Sequence, residues 1–591
     1  MFRRMAKRGD AVHVTTHRRH YVDKCGRART YETHLLRRSY REDGKAKNET
    51  VANLSHLPGH VIEVIRRSLA GETLVPADQA ATITRSVPHG HVAAVWAQAA
   101  GLGLPALLGP AGRHRDLAMA LIIARVVNPA SKLATASWWV DTSLGVDLDV
   151  AGASTDEVYA AMDWLLEHQE TIEARLARRH LAPEVNPSRM ALFDLSSSWM
   201  EGSHCPLAAR GYSRDGKKNR TQIEYGLLTD PAGCPVAIQV FPGNTADPTA
   251  FTHAVAMVRK KFRLEPMVMV GDRGMITSAR IDALRVENTD LGWLTALRAP
   301  AIKALAATGG PLQPTLFDQQ DLAEISHPDY PGERLVACRN PFLAVERARK
   351  RDELLAATEA ILAPVVAAVY AGRLVGADRI GLKVGPLVNK YKMAKHFDVT
   401  ITSNTLSISR RTTQIEAQAA LDGIYLLRTT VPADTLNAAG VDGAYKNLAH
   451  LERDFRSIKV DDLDLRPIYH RLEDRVRAHV FIVMLAAYLT WHLRRTLASL
   501  TFTDEHPPAR TDPVAPAVRS TTATRKATRR TDQHNQSVRS FRTLLDHLGT
   551  LTRNDIQYGP EGPLVPTLAV PTPTQRRVFE LLNTTIPPTL K

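Results

Sequence analysis

Two aspartates in this chain share a placement that could do chemistry. Asp194 follows the apolar run Met190–Phe193, and Asp272 follows Met267–Val270 and Gly271. Short continuous apolar runs of this kind predict buried strands. In α/β sheets, side chains at the C-terminal ends of strands line the functional crevice. Two carboxylates ending neighbouring strands repel each other unless a cation sits between them. Hard oxygen ligands, with no Cys or His nearby, favour Mg²⁺ or Mn²⁺ over zinc. Taken singly, each Asp is more commonly a turn residue or a helix cap. A third carboxylate, Glu452, lies where Tyr445, Leu448, Glu452, Phe455 and Lys459 recur at helical spacing and so share one face. That face is expected to point inward, where an ionised Glu452 is costly unless paired or bound to metal. An ion pair with Arg456 on the helix surface, or with a buried arginine, would serve as well.

The elements that must position these residues follow from the hydrophobic pattern, which reads as an α/β protein. Residues 1–58 form a basic N-terminal region with a β-hairpin, Tyr31 to Tyr40 and Asn48 to Leu54 about the turn Asp43-Gly44-Lys45. Residues 59–185 read as a helical region, with a capping box at Ser154 and Glu157. From 186 to 298 come strands at Met190–Phe193, Ile223–Thr229, Val236–Phe241, Met267–Val270 and Leu291–Leu297, alternating in their later part with helices. This order predicts a mixed sheet flanked by helices. Residues 299–435 read as an inserted subdomain, with a long helical stretch (Phe342 to Ala371) and a strand-like stretch (Phe397 to Ser409). Residues 436–500, which carry Glu452, are helical again. Residues 501–591 begin rich in Pro, Thr and Arg and read as a flexible basic linker with a C-terminal tail of one or two small helices.

The chain's 591 residues allow about three to five domains. With 44% hydrophobic and 23% charged residues it is a folded globular protein, which excludes whole-chain disorder. A net charge of +15 points to a polyanionic partner, of which nucleic acid is the commonest in cells. The apolar run Val480–Leu489 is too short to span a bilayer and reads as a buried core helix, so no membrane partner is expected. The N-terminus has no apolar signal core. Cys25, Cys205, Cys234 and Cys338 are far apart and form no C-x-x-C pair, so neither a disulfide framework nor a cysteine zinc site is suggested, and a cytoplasmic location is expected. Gly211-x4-Gly216-Lys217 imitates a phosphate-binding loop but has Lys218 where Ser or Thr would hold magnesium. Its basic cluster could instead touch DNA or be a solvated loop.

Here the residues carry a family resemblance. Tyr445-x2-Leu448-x3-Glu452-x6-Lys459 resembles the Y-x2-R-x3-E-x6-K signature of a large family of bacterial insertion-sequence transposases, insertion-sequence family four, with Leu448 at the signature's Arg. Phe193-Asp194-Leu195-Ser196-Ser197 resembles that family's first-Asp strand, and Val270-Gly271-Asp272-Arg273-Gly274 its second. Gly243-Asn244-Thr245-Ala246-Asp247 is similar to its G-N-T-x-D turn. Asn389 to Phe397 and Asp422 to Tyr425 resemble the insertion of its sixteen-thirty-four branch. The resemblance runs from about residue 30 to about residue 500, with its blocks in family order.

The resemblance implies an RNase H-like catalytic core in which Asp194, Asp272 and Glu452 form a DDE triad holding two Mg²⁺ or Mn²⁺ ions. Asp194 would bridge both ions. The implied activity is cleavage at the ends of an insertion sequence and joining of the 3′-OH ends to target DNA. The implied partners are double-stranded DNA, as terminal inverted repeats and as target, and a second copy of the chain in a homodimer on paired ends. Tyr445 and Lys459 would hold DNA phosphates. Leu448 cannot supply a guanidinium, which leaves Arg273, Arg453 and Arg456 as candidates for that contact. The rival readings are a catalytically silent DNA-binding protein and a structure-specific nuclease that uses the same metals without strand transfer.

Overall fold

The computed structural model describes residues 11–72, 81–202, 204–217, 219–264, 266–287, 290–307, 309–318, 320–503, 519–532, 535, 537–559 and 562–590. The chain forms two compact units, Met1–Ser86 with Asn554–Thr567, and Val87–Arg553 with Leu568–Lys591.

In the first unit, β1 (Ala11–Val22), β2 (Ala28–Glu42) and β3 (Lys45–Asn53) make an antiparallel sheet. The expected hairpin is β2 with β3. Glu42 pairs with Lys45, and Asp43 and Gly44 have φ of 49° and 74°, the two positive values that a two-residue Asp-Gly turn supplies. The Arg- and His-rich run ahead of it is itself a strand, β1, in register with β2 from Ala11↔Ser39 to Val22↔Ala28. The helix Gly59–Leu69 packs on β1. It stays with the first unit, so the division falls after Ser86 and not after residue 58. A further sheet has the order β16-β15-β4, built from Leu564–Leu568 (β16), Thr552–Gln557 (β15) and Thr82–Pro88 (β4).

The second unit is built on an eight-stranded mixed sheet. Its strands are β5 (Met190–Trp199), β6 (Gln222–Thr229), β7 (Pro235–Pro242), β8 (Met267–Val270), β9 (Leu291–Ala296), β10 (Leu322–Ile325), β11 (Arg334–Arg339) and β14 (Ile424–Thr429), in the order β10-β11-β14-β9-β8-β5-β6-β7. β5, β8 and β9 pair in parallel, and the other pairs are antiparallel. The segment 299–435, which reads as one inserted subdomain, therefore divides. Its β10, β11 and β14 extend the catalytic sheet beyond β9. Between β11 and β14 a separate lobe forms from the helices Pro341–Tyr370 and Ala377–Val388 and the hairpin of β12 (Phe397–Ile401) with β13 (Leu406–Arg410). That lobe has a core of its own, including Leu355, Leu362, Ile380, Val384 and Phe397.

Helices cover the sheet. Thr155–Glu167 starts at the expected capping box, Glu157 N–H donating to Ser154 Oγ (3.2 Å) and Ser154 N–H to Glu157 Oε2 (2.9 Å). Among the described residues two helices, Pro341–Tyr370 and Glu473–Thr496, are long and apolar enough to cross a bilayer by length and composition. The second holds the Val480–Leu489 run, and every residue from Ala478 to Thr490 is buried within the unit. We call it the core helix. After it, residues 504–518 of the expected linker lie outside the described residues. The described residues of the expected tail include the helix Thr521–Arg529, which rests Ala523 against Phe502 and Val538. Helices Phe541–Gly549 and Pro573–Leu581 follow, the second with a capping box at Thr572 and Gln575.

Glu173, on the helix Gln169–Leu181, is buried against β7. Its Oε1 accepts from Gln169 Nε2 (2.8 Å) and from Ile238 N–H (3.0 Å). Burial pushes its carboxyl up to about 7, against the pull of those donors. Between the unfolded value near 4.5 and about 7, the folded chain keeps a proton that the unfolded chain loses. Stability from this group is therefore fully present below about 4.5 and is lost as pH rises through about 7. Denaturant midpoints at about pH 5 and about pH 8 should show Glu173→Gln gaining on the wild type at the higher pH.

Candidate active site

Register brings the two predicted aspartates together. Leu192 on β5 pairs with Val270 on the parallel β8, so Asp194 and Asp272 each stand two residues beyond the same rung. Asp194 is not at the end of its strand, because β6 continues to pair with β5 as far as Trp199 (Asp194↔Leu227, Trp199↔Gln222). It ends only the part of β5 that β8 covers. Each carboxylate is steadied by a backbone donor, Leu195 N–H to Asp194 Oδ1 (2.8 Å) and Arg273 N–H to Asp272 Oδ1 (2.7 Å). Burial pushes the Asp194 carboxyl up to about 7. The Leu195 N–H and Arg214 hold it down, while Asp272 and Asp247 push it further up.

Asp247, Glu224 and Arg214 are site residues that the search for strand-end acids passes over. Asp247 opens the helix Asp247–Ala256, and the position a side chain at Gly274 would take is 3.5 Å from Asp247 Oδ2 and 3.7 Å from Asp272 Oδ2. Both carboxylates therefore lie close to Gly274. Arg214 reaches Asp247 Oδ1 (2.5 Å) and Glu224 Oε1 (3.3 Å), and its backbone N–H donates to Ser197 Oγ (3.0 Å). Glu224 is buried on β6, and burial raises its carboxyl to about 7 despite Arg214. Its Oε2 is buried without a hydrogen-bond partner. Arg214 therefore faces three of these carboxylates, Asp247, Glu224 and Asp194, an excess of negative charge that suits divalent cations. The signal for Asp247 was the turn Gly243-Asn244-Thr245-Ala246-Asp247. Arg214 belongs to the sequence that imitates a phosphate-binding loop, of which Lys218 lies outside the described residues.

The signature residues separate into two groups. Tyr445 ends the helix Ala438–Lys446 with its hydroxyl against Asp272. Burial first, and then Asp272, raise it to about 12, with Arg273 opposing. The helix breaks at Asn447 and restarts as Leu448–Arg456, the glutamate helix, which packs across β5. Phe455 stacks edge-on against Tyr225 (5.9 Å between centroids). Tyr225 pairs with Ser196, so it lies on the same face of the sheet as Asp194, two residues along. Glu452 lies one turn before Phe455 on this helix. It is exposed and not buried, since Leu451, Phe455 and Ile458 make the inward stripe. Among the described residues it has no ion pair, with Arg456 or with a buried arginine.

Lys459 is placed differently from a DNA contact. It is 8% exposed, in a π-helical turn (Ser457–Asp461), and its Nζ pairs with Asp215 Oδ1 (2.9 Å). Arg466 pairs with the same oxygen, and Trp199 N–H donates to Asp215 Oδ2 (3.2 Å). This buried group fastens the end of the glutamate helix to β5. Leu448, at the signature's Arg, packs half-buried against the core. Arg273, Arg453 and Arg456 are exposed, and of these Arg273 lies beside Asp272 and Tyr445. His470 and His479 are structural, with rings 5.2 Å apart and His479 Nδ1 3.0 Å from Lys132 Nζ.

Residues 22–79 match the IS1634 family transposase N-terminal domain, and residues 196–489 match the transposase DDE domain. Asp194 falls two residues before the second match, while Asp272, Tyr445, Glu452 and Lys459 lie inside it. No curated protein matches the chain. Among solved structures it resembles a cryo-EM structure of the piggyBac transposase synaptic complex with hairpin DNA, at 9% identity and a TM-score of 0.33, over 74% of this chain and 70% of that one. The fold and site define a DDE enzyme with an RNase H-like core. The chain belongs to the DDE transposases of the IS1634 branch. It is a DNA-binding, divalent-metal-dependent DNA transposase, and the silent DNA-binding reading is not favoured.

Asp215→Ala leaves Lys459 and Arg466 buried without a carboxylate, and is expected to cost about 3–5 kcal/mol in denaturant unfolding. Lys459→Met, which leaves Asp215 with Arg466, should cost less and should leave the DNA affinity of the folded protein unchanged.

Proposed function

We propose that Asp194, Asp272 and Glu452 hold two Mg²⁺ ions, with Mn²⁺ able to replace them, and that the site both cuts the ends of an insertion sequence and joins the freed 3′-OH to target DNA. Bound there, the ions would supply Lewis-acid activation of the attacking oxygen and relief of charge on the leaving 3′-oxygen. What supports this reading is the register that brings Asp194 and Asp272 together, with Glu452 exposed on a helix that packs on β5. Around that triad the remaining residues position and balance charge. Arg214 holds Asp247 and Glu224 in place. The Tyr445 hydroxyl donates to Asp272 and so fixes the orientation of its carboxylate. Arg273 is aimed outward beside Asp272, where it can take a DNA phosphate in place of the arginine that Leu448 lacks. Lys459 acts through the glutamate helix and not through DNA. The chain works as a homodimer on paired terminal inverted repeats, which the basic region ahead of the catalytic sheet recognises, and it acts on DNA of the nucleoid in the cytoplasm.

The test is cleavage and joining on DNA carrying the coding region's own flanks, with Mg²⁺ and with chelator. Wild type should nick at the ends only with metal and should yield joined products. Asp272→Ala should do neither while still binding the ends. Equal loss of end binding in Asp272→Ala would make Asp272 structural, and nicking without joining would define a nuclease. At subsaturating Mg²⁺ the nicking rate should rise between about pH 6 and about pH 8, because metal binding must displace the proton that Asp194 keeps up to about 7. Raising Mg²⁺ should move that rise to lower pH.

A further inference from the structure

Away from the aspartates, three ligand-type side chains from three elements converge. His180 lies near the end of the helix Gln169–Leu181, Cys234 leads into β7, and His492 is on the core helix. His180 Nε2 is 4.0 Å and His492 Nε2 3.8 Å from Cys234 Sγ. The three ligand atoms all lie within 4.8 Å of one another. In a tetrahedral zinc centre, bond lengths of about 2.3 Å to sulfur and about 2.0 Å to nitrogen set the S···N edge at about 3.6 Å. Each of the two S···N edges would have to close by only a few tenths of an ångström. We propose that His180 Nε2, His492 Nε2 and Cys234 Sγ bind one Zn²⁺, with water at the fourth position beside the Tyr488 hydroxyl.

The surroundings support a metal more than a chance meeting of side chains. Asp230 Oδ2 lies 3.8 Å from His180 Nδ1, the nitrogen turned away from the proposed ion. A carboxylate behind a ligating imidazole is the usual outer partner of zinc histidines. Asp230 is itself held by the N–H groups of Ala232 (2.9 Å) and Cys234 (2.8 Å). The Tyr488 hydroxyl hydrogen-bonds His180 Nε2 (3.2 Å), a bond the ion would displace, which leaves the hydroxyl free to hold a water at the open position. Asp454 Oδ2 is buried without a hydrogen-bond partner and stands 3.4 Å from where a side chain at Gly233 would begin. Burial, with Asp230 and Asp454, pushes the Cys234 thiol well above its ordinary value against Arg495 and Arg179, so the ion itself must displace the thiol proton. Burial keeps both imidazoles neutral, as ligation needs, with their values pulled down to about 4. A thiolate with two imidazoles selects zinc over magnesium, so this site is chemically distinct from the aspartate cluster. Binding releases one proton, from the Cys234 thiol, and involves no redox change.

The site would fasten the part of the fold that seats Glu452. Residues 230–234 form the turn between β6 and β7, and the glutamate helix rests on it. His450 Nδ1 is 2.9 Å from Ala232 O, and a side chain at Gly233 would begin 2.7 Å from His450 Cβ. Zinc would tie that turn to the core helix and to the helix Gln169–Leu181.

The full chain, purified without chelator and dialysed, should retain about one zinc per chain by elemental analysis. Exchange with Co²⁺ should give a thiolate-to-cobalt charge-transfer band and tetrahedral d–d bands. Both signals should persist in Asp272→Ala, which disables the aspartate cluster, and should vanish in Cys234→Ser. Asp230→Asn should weaken zinc binding by about 10- to 100-fold. Wild type that is folded by circular dichroism, yet holds no stoichiometric zinc and gives no cobalt–thiolate band, would overturn the proposal. So would zinc retained undiminished in folded Cys234→Ser. Should Cys234→Ser not fold, the wild-type cobalt spectrum decides the question.

Discussion

The parallel pairing of β5 with β8 concentrates negative charge at one place, and the site is organised around that concentration. With Leu192 level with Val270, Asp194 and Asp272 must emerge side by side. The helix that begins at Asp247 adds a third carboxylate, and β6 adds Glu224 from within the sheet. Arg214 pairs with Asp247 and Glu224 among them, and burial makes the remaining imbalance more costly than it would be in water. The raised carboxyls of Asp194 and Glu224 express this cost. A fold selected for stability alone would not assemble such a group, and a fold that must hold divalent cations has to.

Glu452, the proposed third ligand, depends on a different set of forces. Glu452 is on a short helix that cannot rely on its own length for stability. Its inward stripe of Leu451, Phe455 and Ile458 sits on the sheet beside Tyr225. At its far end, Asp215 binds Lys459 and Arg466 in a buried ion cluster that is anchored to Trp199 on β5. At its near end it rests on the turn 230–234, which the histidines and Cys234 surround. The exposure of Glu452 is the result of these attachments: its neighbours bind inward, and the carboxylate is left at the surface. The break at Asn447 has a related effect, since it frees Tyr445 to turn toward Asp272 instead of continuing the stripe of the glutamate helix.

Insertion of chain between β9 and the glutamate helix does not disturb this arrangement. Part of the inserted chain is absorbed as β10, β11 and β14, which lengthen the sheet on the side away from β6 and β7. The rest buries its apolar surface in a separate lobe with its own core. The catalytic strands thus keep neighbours on both sides, and the lobe can change without repacking the site.

What the sequence by itself determined is local in origin. Continuous apolar runs marked β8 and the first half of β5, the Asp43-Gly44 pair marked a hairpin, and Ser154 with Glu157 marked a helix start, because each depends on residues within a few positions of one another. The two aspartates and the signature Tyr445 were legible for the same reason, through short motifs. The tertiary structure alone decided the rest. Helical spacing placed Glu452 and Lys459 on one buried face, but a break at Asn447 and a π-helical turn after Arg456 change the phase, so Glu452 faces outward while Lys459 finds Asp215. Arg214, Glu224 and Asp247 meet Asp194 only when β6 and the loops around it close over β5. His180, Cys234 and His492 are separated by too much chain for any spacing rule to join them. Contacts of this kind are set by packing between elements, and no local pattern of residue types encodes which distant side chain will arrive.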